Sequence, residues 1–393
     1  MSLYCSVGVD FKLTPAHEAF REEIRGFLRS ELPAERRSVR EDGWVVGFSR
    51  SFSEKLGKRG WLGLTWPREY GGQARSVLER LILTEELLRA GAPVAAHWLG
   101  DRQVGPSILR FGTAEQRREI LPRITSGAIV FCVGLSEPNA GSDAAAVTTQ
   151  AVEDGDGFVI RGQKIWTSFA HQADYCYLVA RTDASGPKHK GISEFIVPMA
   201  TPGITVRPLL DMTGEHHFNE VFFEDARVPR SALIGQKDRG WYQIAVQLDY
   251  ERGGIERVLS NWPLLEDALG ALRGSAALRD PVMRDRLAGL RVDLEIARLM
   301  VYRIAWLADH GRVPNVEAAV AKSFGTELEQ RIAETVAGLF QMSALGTAGS
   351  AHAALGGRVA RAMLYAPAYT IQGGTSNILR NIIAHRGLGL PAD

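Results

Sequence analysis

Apolar residues in the first third of the chain recur at intervals of three and four positions, which is the spacing of a helix with one buried face. Phe20, Ile24 and Phe27 follow this period just after Thr14, a residue type suited to cap the start of a helix. The same period returns in two later segments, and glycine-rich breaks separate them. The pattern predicts a helical domain over residues 1–128.

Between residues 129 and 238 the period of apolar positions changes to two, which is typical of half-buried strands. Short segments rich in β-branched and aromatic residues predict strands at 158–160, 175–180, 194–198, 204–208 and 221–223. The Asp-Gly-Asp-Gly sequence at 154–157 is typical of a turn that closes a hairpin. These features predict an all-β middle domain, with a small sandwich or barrel as its expected shape.

The helical period returns in the last part of the chain. Asp280 and Pro281 predict the start of a long helix that runs to about His310. Its apolar stripe is expected to pack on another helix: Leu287, Leu290, Leu294, Ala297, Val301, Ile304 and Ala308. The sequence therefore predicts an α+β multidomain fold, with a C-terminal helical bundle over residues 239–393.

The 393 residues are 45% hydrophobic and 23% charged, which is the composition of a globular protein with a large core. The net charge of +1 gives no reason to expect nucleic acid or an acidic membrane surface as a partner. Cys5, Cys132 and Cys176 have no paired spacing, so neither a disulfide framework nor a metal site is indicated. The sequence contains no export signal and no apolar run of roughly 18–20 residues, so we expect a cytoplasmic protein.

A loop of small residues follows the apolar run that begins at Ile129. The loop includes Ser136, Gly141 and Ser142, and few side chains there would keep the backbone away from a bound molecule. It is therefore a candidate cofactor-facing edge, although its composition is equally compatible with a surface turn between strands.

Glu251 lies on the apolar face of the segment 240–260, three residues after Leu248 and four before Ile255. Burial penalises a charged carboxylate, so the pKa of Glu251 is expected to rise, as suits a general base near neutral pH. A structural glutamate paired with an arginine is the alternative that these residues leave open.

The sequence LSEPNAGSD at 135–143 is followed by GQKIWTS at 162–168. Both segments resemble the flavin-binding region of the acyl-CoA dehydrogenase family. Four other segments resemble that family and keep its order, at 61–72, 108–131, 218–241 and 371–391. The resemblance covers nearly the whole chain, and it implies helical N- and C-terminal domains around a β domain, with FAD as the cofactor.

The resemblance implies that a carboxylate removes the α-proton of an acyl-CoA thioester while the β-hydride passes to FAD, which gives a trans-2-enoyl-CoA. The electrons would then leave to an electron-transfer flavoprotein. Many members carry the carboxylate in a C-terminal Glu-Gly-Thr triplet, which is Gly373-Gly374-Thr375 here. Isovaleryl- and long-chain-type members carry it at the position that Glu251 occupies, so the resemblance implies Glu251 as the catalytic base.

The resemblance also implies a set of binding residues. Those expected at the flavin are Val133, Leu135, Ser136, Gly141, Trp166, Ser168, Thr375 and Asn377. Ser168 is expected to donate to N5 or O4 of the ring, with a plain turn residue as the alternative; for Trp166 the alternative is ordinary core. Those expected at the acyl-CoA are Ser142, Asp249 and Arg252. Arg252 is as compatible with a salt bridge to Asp249 or Glu251.

Two departures from the family bear on the assembly. The Arg-Gln-Phe-Gly stretch that binds FAD across a subunit contact is replaced by the sequence at 272–287, and a later glycine-rich segment is altered at 344–349. Such changes resemble bacterial members that assemble as heteromers, so a homotetramer and a heterotetramer with a related subunit both stay open. Two alternative functions are a flavin oxidase or monooxygenase of the same fold, and a non-catalytic subunit of a heteromeric acyl-CoA dehydrogenase.

Overall fold

The computed structural model describes residues 11–32, 42–244 and 254–391, and in these ranges the chain runs from helices through a sheet and back to helices. The first helices are α1 (Pro15–Glu31), α2 (Arg50–Lys58), α3 (Val77–Arg89), α4 (Ala95–Leu99), α5 (Gly105–Phe111) and α6 (Ala114–Thr125). A π-helical turn, Gly100–Val104, joins α4 to α5. The later helices are α7 (Glu256–Leu259), α8 (Trp262–Ala271), α9 (Pro281–Asp309), α10 (Asn315–Phe340), α11 (Arg358–Tyr369) and α12 (Ser376–Ile382).

Side-chain caps set the start of several helices. Thr14 accepts a hydrogen bond from the backbone N–H of His17 at 3.3 Å and begins α1, as the sequence predicted. Asp280 caps α9 in the same way. This helix ends at Asp309, and Gly311 follows with a left-handed φ of 72°. The predicted long helix is therefore confirmed.

Eight strands form one sheet between the two helical regions. They are β1 (Phe131–Gly134), β2 (Gln150–Asp154), β3 (Gly157–Lys164), β4 (Tyr175–Arg181), β5 (Ile192–Pro198), β6 (Ile204–Leu209), β7 (Phe218–Pro229) and β8 (Leu233–Ile234). The strand order is β6-β7-β3-β2-β4-β5-β8, and β1 pairs with β4 in parallel. The all-β middle region is confirmed. A closed barrel is not, because β6 and β8 end the sheet without pairing to each other within the described residues.

The N-terminal and C-terminal helices share one hydrophobic core. Phe27, Leu56 and Leu83 from the first helices lie in the same buried cluster as Leu294 of α9 and Ile332 of α10. The two helical regions are therefore joined by packing although the whole sheet separates them in sequence. The domain limits proposed from the sequence stay a prediction.

Smaller cores hold the sheet in place. In one of them Phe158 and Phe195 meet edge to face, with ring centroids 5.0 Å apart. In another, Ile108 of α5 and Leu121 of α6 pack against Phe131 of β1. The first strand is therefore packed against the N-terminal helices, and this packing determines where the loop after β1 emerges.

A buried ion cluster ties α1 and α3 to α9. The Glu85 carboxylate is 1% exposed, and it accepts hydrogen bonds from Arg298 and, at 2.6 Å, from the Tyr302 hydroxyl. Arg21 of α1 lies 3.4 Å from the same carboxylate. Burial alone would raise the pKa of Glu85, but Arg298 outweighs burial and holds that pKa below its usual range. The cluster is therefore charged at neutral pH.

We expect Glu85→Ala to lower the free energy of unfolding by about 3–5 kcal/mol, because the substitution leaves Arg298 with no carboxylate inside the cluster. Denaturant unfolding followed by circular dichroism measures the change. Glu295→Ala is the matched control, since Glu295 lies 4.0 Å from the same Arg298 on its exposed side and should contribute less than about 1 kcal/mol. Equal losses in the two variants would contradict this account.

Candidate active site

A buried ion pair fixes the loop that follows β1. The Lys164 ammonium and the Glu137 carboxylate lie 2.8 Å apart, and their side chains are 0% and 5% exposed. Lys164 also donates to the carbonyl of Leu135 at 3.1 Å. Beside it, the backbone N–H of Ile165 donates to the carbonyl of Ser136 at 2.9 Å. The loop is therefore joined to the end of β3 at three successive residues.

The carboxylate of this pair has further donors. Glu137 accepts from the backbone N–H and the hydroxyl of Thr148, both at 2.7 Å, and from the backbone N–H of Thr149 at 2.8 Å. Burial would raise the pKa of Glu137, but Lys164 and these donors outweigh it and hold the pKa at about 2. Burial lowers the pKa of Lys164 to about 8, because Glu137 replaces only part of the lost hydration. Both groups are charged at neutral pH, and charge-assisted hydrogen bonds hold the loop.

The segment after β3 contains two residues with left-handed backbones. Trp166 has a φ of 58° and Phe169 a φ of 55°, a conformation that costs a non-glycine residue about 1–2 kcal/mol. Hydrogen bonds to the start of β7 hold the segment: the Thr167 N–H donates to the Asn219 carbonyl at 3.0 Å, and the Phe169 N–H donates to the His217 carbonyl at 2.7 Å. Strain of this kind persists only where surrounding contacts fix it, and it is common at functional sites.

The strained segment displays Trp166 at the surface. Its indole is 54% exposed and meets Phe218 edge to face, with ring centroids 5.7 Å apart, so it does not belong to the core. Val133, Leu135 and Ser136 are each partly buried along the neighbouring strand and loop. The structure thus brings Leu135 and Ser136 next to the segment that carries Trp166 and Ser168, while the contacts of these residues to a flavin stay a prediction.

A crevice opens beside Ser168, between the sheet and both helical regions. Its walls include Trp44 and Trp98, which stack with ring centroids 5.8 Å apart. Ser168, His217 and Gln372 add polar groups to these aromatic walls. An apolar crevice with a few converging polar groups is the usual form of a small-molecule site.

The turn between α11 and α12 lies next to this crevice. Gly373 and Gly374 have φ values of 64° and 99°. Lys322 of α10, which is 0% exposed, donates to the Gly374 carbonyl at 2.7 Å and fixes the turn. A residue with a side chain adopts such backbone angles only at a cost in energy. The backbone of the turn therefore favours glycine at position 373. Glycine has no side chain, so this position offers the crevice no carboxylate.

Thr375 and Asn377 lie at the start of α12. The Thr375 hydroxyl caps the helix by accepting from the backbone N–H of Ile378 at 3.2 Å. A hydroxyl that accepts still has its own proton to donate. Asn377 is exposed two residues further along. Roles of both residues toward a flavin stay predictions.

Gly141 and Ser142 lie exposed in the loop after β1. A Cβ added at Gly141 would meet no atom within 4 Å, so the packing of the chain itself does not require glycine there. Next to them, Asp143 and Lys188 form an exposed ion pair at 2.7 Å. The backbone of this loop is open to a ligand, as its composition predicted.

The predicted base and the predicted acyl-CoA contacts beside it lie outside the described residues: Glu251, Asp249 and Arg252. The helical segment that leads toward them is described only over 240–244. Trp241 and Ile244 of that segment pack in the same cluster as Leu135 of the loop after β1. The described part of this helix is therefore anchored on the predicted flavin edge.

A second buried ion pair lies just after the segment 245–253, which the structure does not describe. Arg102, in the π-helical turn, contacts Glu256 at 2.9 Å, and both side chains are nearly buried. A Cβ added at Gly254 would lie 1.9 Å from a Glu256 carboxylate oxygen, so a larger residue there would require the pair to shift. The pair joins the N-terminal helices to the segment that follows the predicted base.

His217, Gln372 and the pair Glu137 and Lys164 were not among the residues predicted for the site. The available signal for the ion pair was a lysine at the end of an apolar strand and a glutamate inside a loop of small residues. His217 and Gln372 belong to no periodic pattern or motif that the sequence analysis used, so nothing local marks them as crevice residues.

Comparison with known proteins places these features in a family. The family models described as the N-terminal, middle and C-terminal domains of acyl-CoA dehydrogenase match residues 14–128, 132–226 and 238–388. The acyl-CoA dehydrogenase IpdE1 of Mycobacterium tuberculosis is 35% identical over 389 residues, which are 96% of this chain and 98% of the relative. FadE26 of the same organism is 37% identical over 403 residues, again 96% and 98% of the two chains.

Solved structures give the same result. A structure described as the Tcur3481-Tcur3483 steroid ACAD has a TM-score of 0.90 at 36% identity, over 98% of this chain and 100% of the other. The ChsE4-ChsE5 complex from Mycobacterium tuberculosis has a TM-score of 0.86 at 34% identity, over 98% and 100%. Within the described ranges, every helix is too short or too polar to cross a membrane.

We expect Lys164→Met to lower the free energy of unfolding by about 3–5 kcal/mol, because the Glu137 carboxylate would stay buried without its cation. Lys188→Met is the matched control, since Lys188 pairs with Asp143 in solvent and should contribute less than about 1 kcal/mol. Denaturant midpoints of both variants measure the difference. A Lys164 variant as stable as the control would show that the pair does not hold the loop.

The same pair predicts a dependence on acid. The pKa of Glu137 is about 2 in the folded chain against 4.5 for an ordinary glutamate, so its contribution is complete above pH 4.5 and is lost as the pH falls towards 2. Unfolding midpoints of the wild type should fall in this window, and Lys164→Met should show a smaller fall. An identical acid dependence in both proteins would contradict the assignment.

Proposed function

Because the chain belongs to the acyl-CoA dehydrogenase family of flavin-dependent oxidoreductases, we propose that it dehydrogenates an acyl-CoA thioester between its α and β carbons to a trans-2-enoyl-CoA. The observation that carries the proposal is the edge formed by Leu135, Ser136 and Trp166, which the buried Lys164 joins together. FAD is the proposed cofactor at this edge.

The residues of the edge fit a flavin ring. The exposed Trp166 indole offers a flat apolar surface, and Ser168 adds a hydroxyl at the mouth of the crevice. Gly141 leaves free the space that a Cβ would fill. When bound, FAD would supply the two-electron acceptor for the hydride that leaves the β carbon. The residues proposed to hold it are Val133, Leu135, Ser136, Gly141, Trp166, Ser168, Thr375 and Asn377.

Glu251 is the proposed base that takes the α-proton. Gly373, where many members of the family carry their glutamate, has neither a carboxylate nor a backbone that favours one. The helical segment 240–244, which leads towards Glu251, lies at the proposed flavin edge, because its Trp241 belongs to the same hydrophobic cluster as Leu135. Ser142, Asp249 and Arg252 are the proposed contacts of the CoA and pantetheine parts of the substrate.

We propose a bulky, ring-bearing acyl group for the substrate. The crevice beside Ser168 has the stacked indoles of Trp44 and Trp98 in its wall, and flat aromatic surfaces suit a rigid hydrocarbon. One similar structure is described as a steroid ACAD, which supports the same class of substrate.

A partner subunit is part of the proposal, either as a second copy of this chain or as a related chain in a heterotetramer. Val292, Ile296 and Leu299 form an apolar row on the exposed side of α9, with 58%, 39% and 39% of their surface accessible. Two of the similar structures are described as pairs of different chains. The electrons are proposed to leave to an electron-transfer flavoprotein.

We expect the purified protein to contain flavin that bleaches when ring-bearing acyl-CoAs are added without oxygen. Glu251→Gln should bind the same ligands and bleach at least 10³-fold more slowly, because the amide cannot take a proton, which corresponds to roughly 4 kcal/mol in the barrier. Absorbance at the flavin band measures both proteins. Glu224→Gln is a control for removing a carboxylate, because Glu224 is exposed on β7, and bleaching should continue in that variant.

Three outcomes separate the alternatives. Bleaching in wild type and not in Glu251→Gln supports dehydrogenation with Glu251 as base. Rapid reoxidation of the reduced flavin in air would favour an oxidase or monooxygenase instead. A chain that binds little flavin alone but supports activity with a related subunit, even as Glu251→Gln, would be a non-catalytic subunit.

We expect Ile296→Glu to disrupt the assembly, because a charge in the apolar row of α9 would have to be buried at the subunit contact. Sedimentation velocity should show a smaller species than wild type. Val152→Glu is the control, since Val152 is 47% exposed on β2 of the sheet. Wild-type size in the Ile296 variant would place the subunit contact elsewhere.

A further inference from the structure

Two buried polar side chains in the crevice have atoms without partners. His217 is 4% exposed, and neither of its ring nitrogens has a hydrogen-bond partner among the described residues. The amide nitrogen of Gln372 is also buried without a partner in that part of the chain. Buried polar atoms are nearly always hydrogen-bonded, so an unpaired set in a crevice indicates that a ligand completes it.

Tyr365 fixes the orientation of the Gln372 amide. The Tyr365 hydroxyl donates to the amide oxygen of Gln372 at 3.3 Å. The oxygen is thereby engaged, and the amide nitrogen with its two hydrogens remains for a ligand. Gln372 therefore offers the crevice a donor.

Asp211 biases the tautomer of His217 by its charge, since the two side chains approach closely without hydrogen-bond geometry. A carboxylate oxygen of Asp211 lies 3.4 Å from Nε2 of His217. Burial lowers the pKa of His217 more than Asp211 raises it, so the ring is neutral. A carboxylate beside Nε2 favours the hydrogen on that nitrogen, which leaves Nδ1 as an acceptor. His217 therefore offers the crevice an acceptor.

The two groups line the same crevice, and Tyr365 contacts both of them. The ring centroids of His217 and Tyr365 are 5.8 Å apart, and the Tyr365 hydroxyl holds Gln372. Phe218 covers the imidazole with a centroid distance of 4.2 Å. A donor and an acceptor that line one apolar crevice can both be satisfied by a single hydroxyl, which accepts and donates.

We propose that His217 and Gln372 together recognise a hydroxyl group on the acyl part of the substrate. The Gln372 amide donates to the hydroxyl oxygen, and the hydroxyl donates to Nδ1 of His217. The inference rests on the proposed acyl-CoA dehydrogenase activity for the identity of the ligand. A plain hydrocarbon in the crevice would leave both protein groups buried and unpaired, which lowers its affinity.

The test compares matched ligands with and without the oxygen. The probes are 3-cyclohexylpropanoyl-CoA, its derivatives with a hydroxyl on each ring carbon in turn, and the corresponding ring ketones. Equilibrium dialysis gives the dissociation constants, and anaerobic flavin bleaching gives kcat/KM. We expect one hydroxyl isomer to bind roughly 10- to 100-fold more tightly than the plain ligand, and its ketone to lie between them, because a ketone can satisfy only Gln372.

Variants assign the preference to the two residues. His217→Phe and Gln372→Met should each remove most of the preference for the hydroxyl while the plain ligand binds as before. His217→Asn should restore part of it, since its amide oxygen can accept near the position of Nδ1. His216→Phe is the control, because His216 is exposed and stacks on His171 outside the crevice.

Each other outcome overturns the proposal. If the wild type binds all ligands equally, a hydroxyl is not the group that the crevice recognises. An equal loss for every ligand in both variants assigns the pair to the thioester carbonyl, which all the probes share. Dialysis measures binding even if no ligand bleaches the flavin. An error in the proposed dehydrogenation can therefore be distinguished from an error in the proposed recognition of a hydroxyl by His217 and Gln372.

Discussion

The buried ion pair of Lys164 and Glu137 is the contact on which the rest of the site depends. An unpaired charge at either position would be strongly destabilising, so the two must meet whenever the sheet forms. Their meeting joins the loop after β1 to the end of β3, which are far apart in sequence, and it fixes the backbone of Leu135 and Ser136. The exposed indole of Trp166 and the crevice beside Ser168 follow from that junction.

The candidate site belongs to no single part of the fold. The β domain supplies the strained segment at Trp166 and the buried His217, the C-terminal helices supply the turn at Gly373, and the N-terminal helices supply Trp98. Such a site forms only when all three parts have packed. The buried pair of Arg102 and Glu256 and the cluster around Glu85 hold the helical parts together. None of these residues lines the crevice, so the contacts that stabilise the fold are separate from the strained backbone at Trp166.

The sequence predicted what depends on local spacing. Thr14 and Asp280 marked helix starts because a cap needs only the next few residues, and the long helix ended where Gly311 allowed it. The open sheet was not predicted, because pairing such as β1 with β4 depends on partners about forty residues apart. His217 was missed for the same reason, because it is buried where β7 meets α11 and the strained loop, and these are distant in sequence. The family motifs pointed to the predicted flavin edge, while the predicted base, Glu251, lies among residues that the structure does not describe.

The shared core of the two helical regions has a consequence for biosynthesis. Glu85 and Arg298 are separated by 213 residues, so α3 leaves the ribosome long before its partner α9 exists. At about 5–20 residues per second, the delay is roughly 10–40 s. During this time the apolar faces of the first helices have no permanent cover, while the sheet can pair its own strands. The nascent chain is thus expected to depend on chaperones until α9 has been synthesised, with the β domain as its first stable unit.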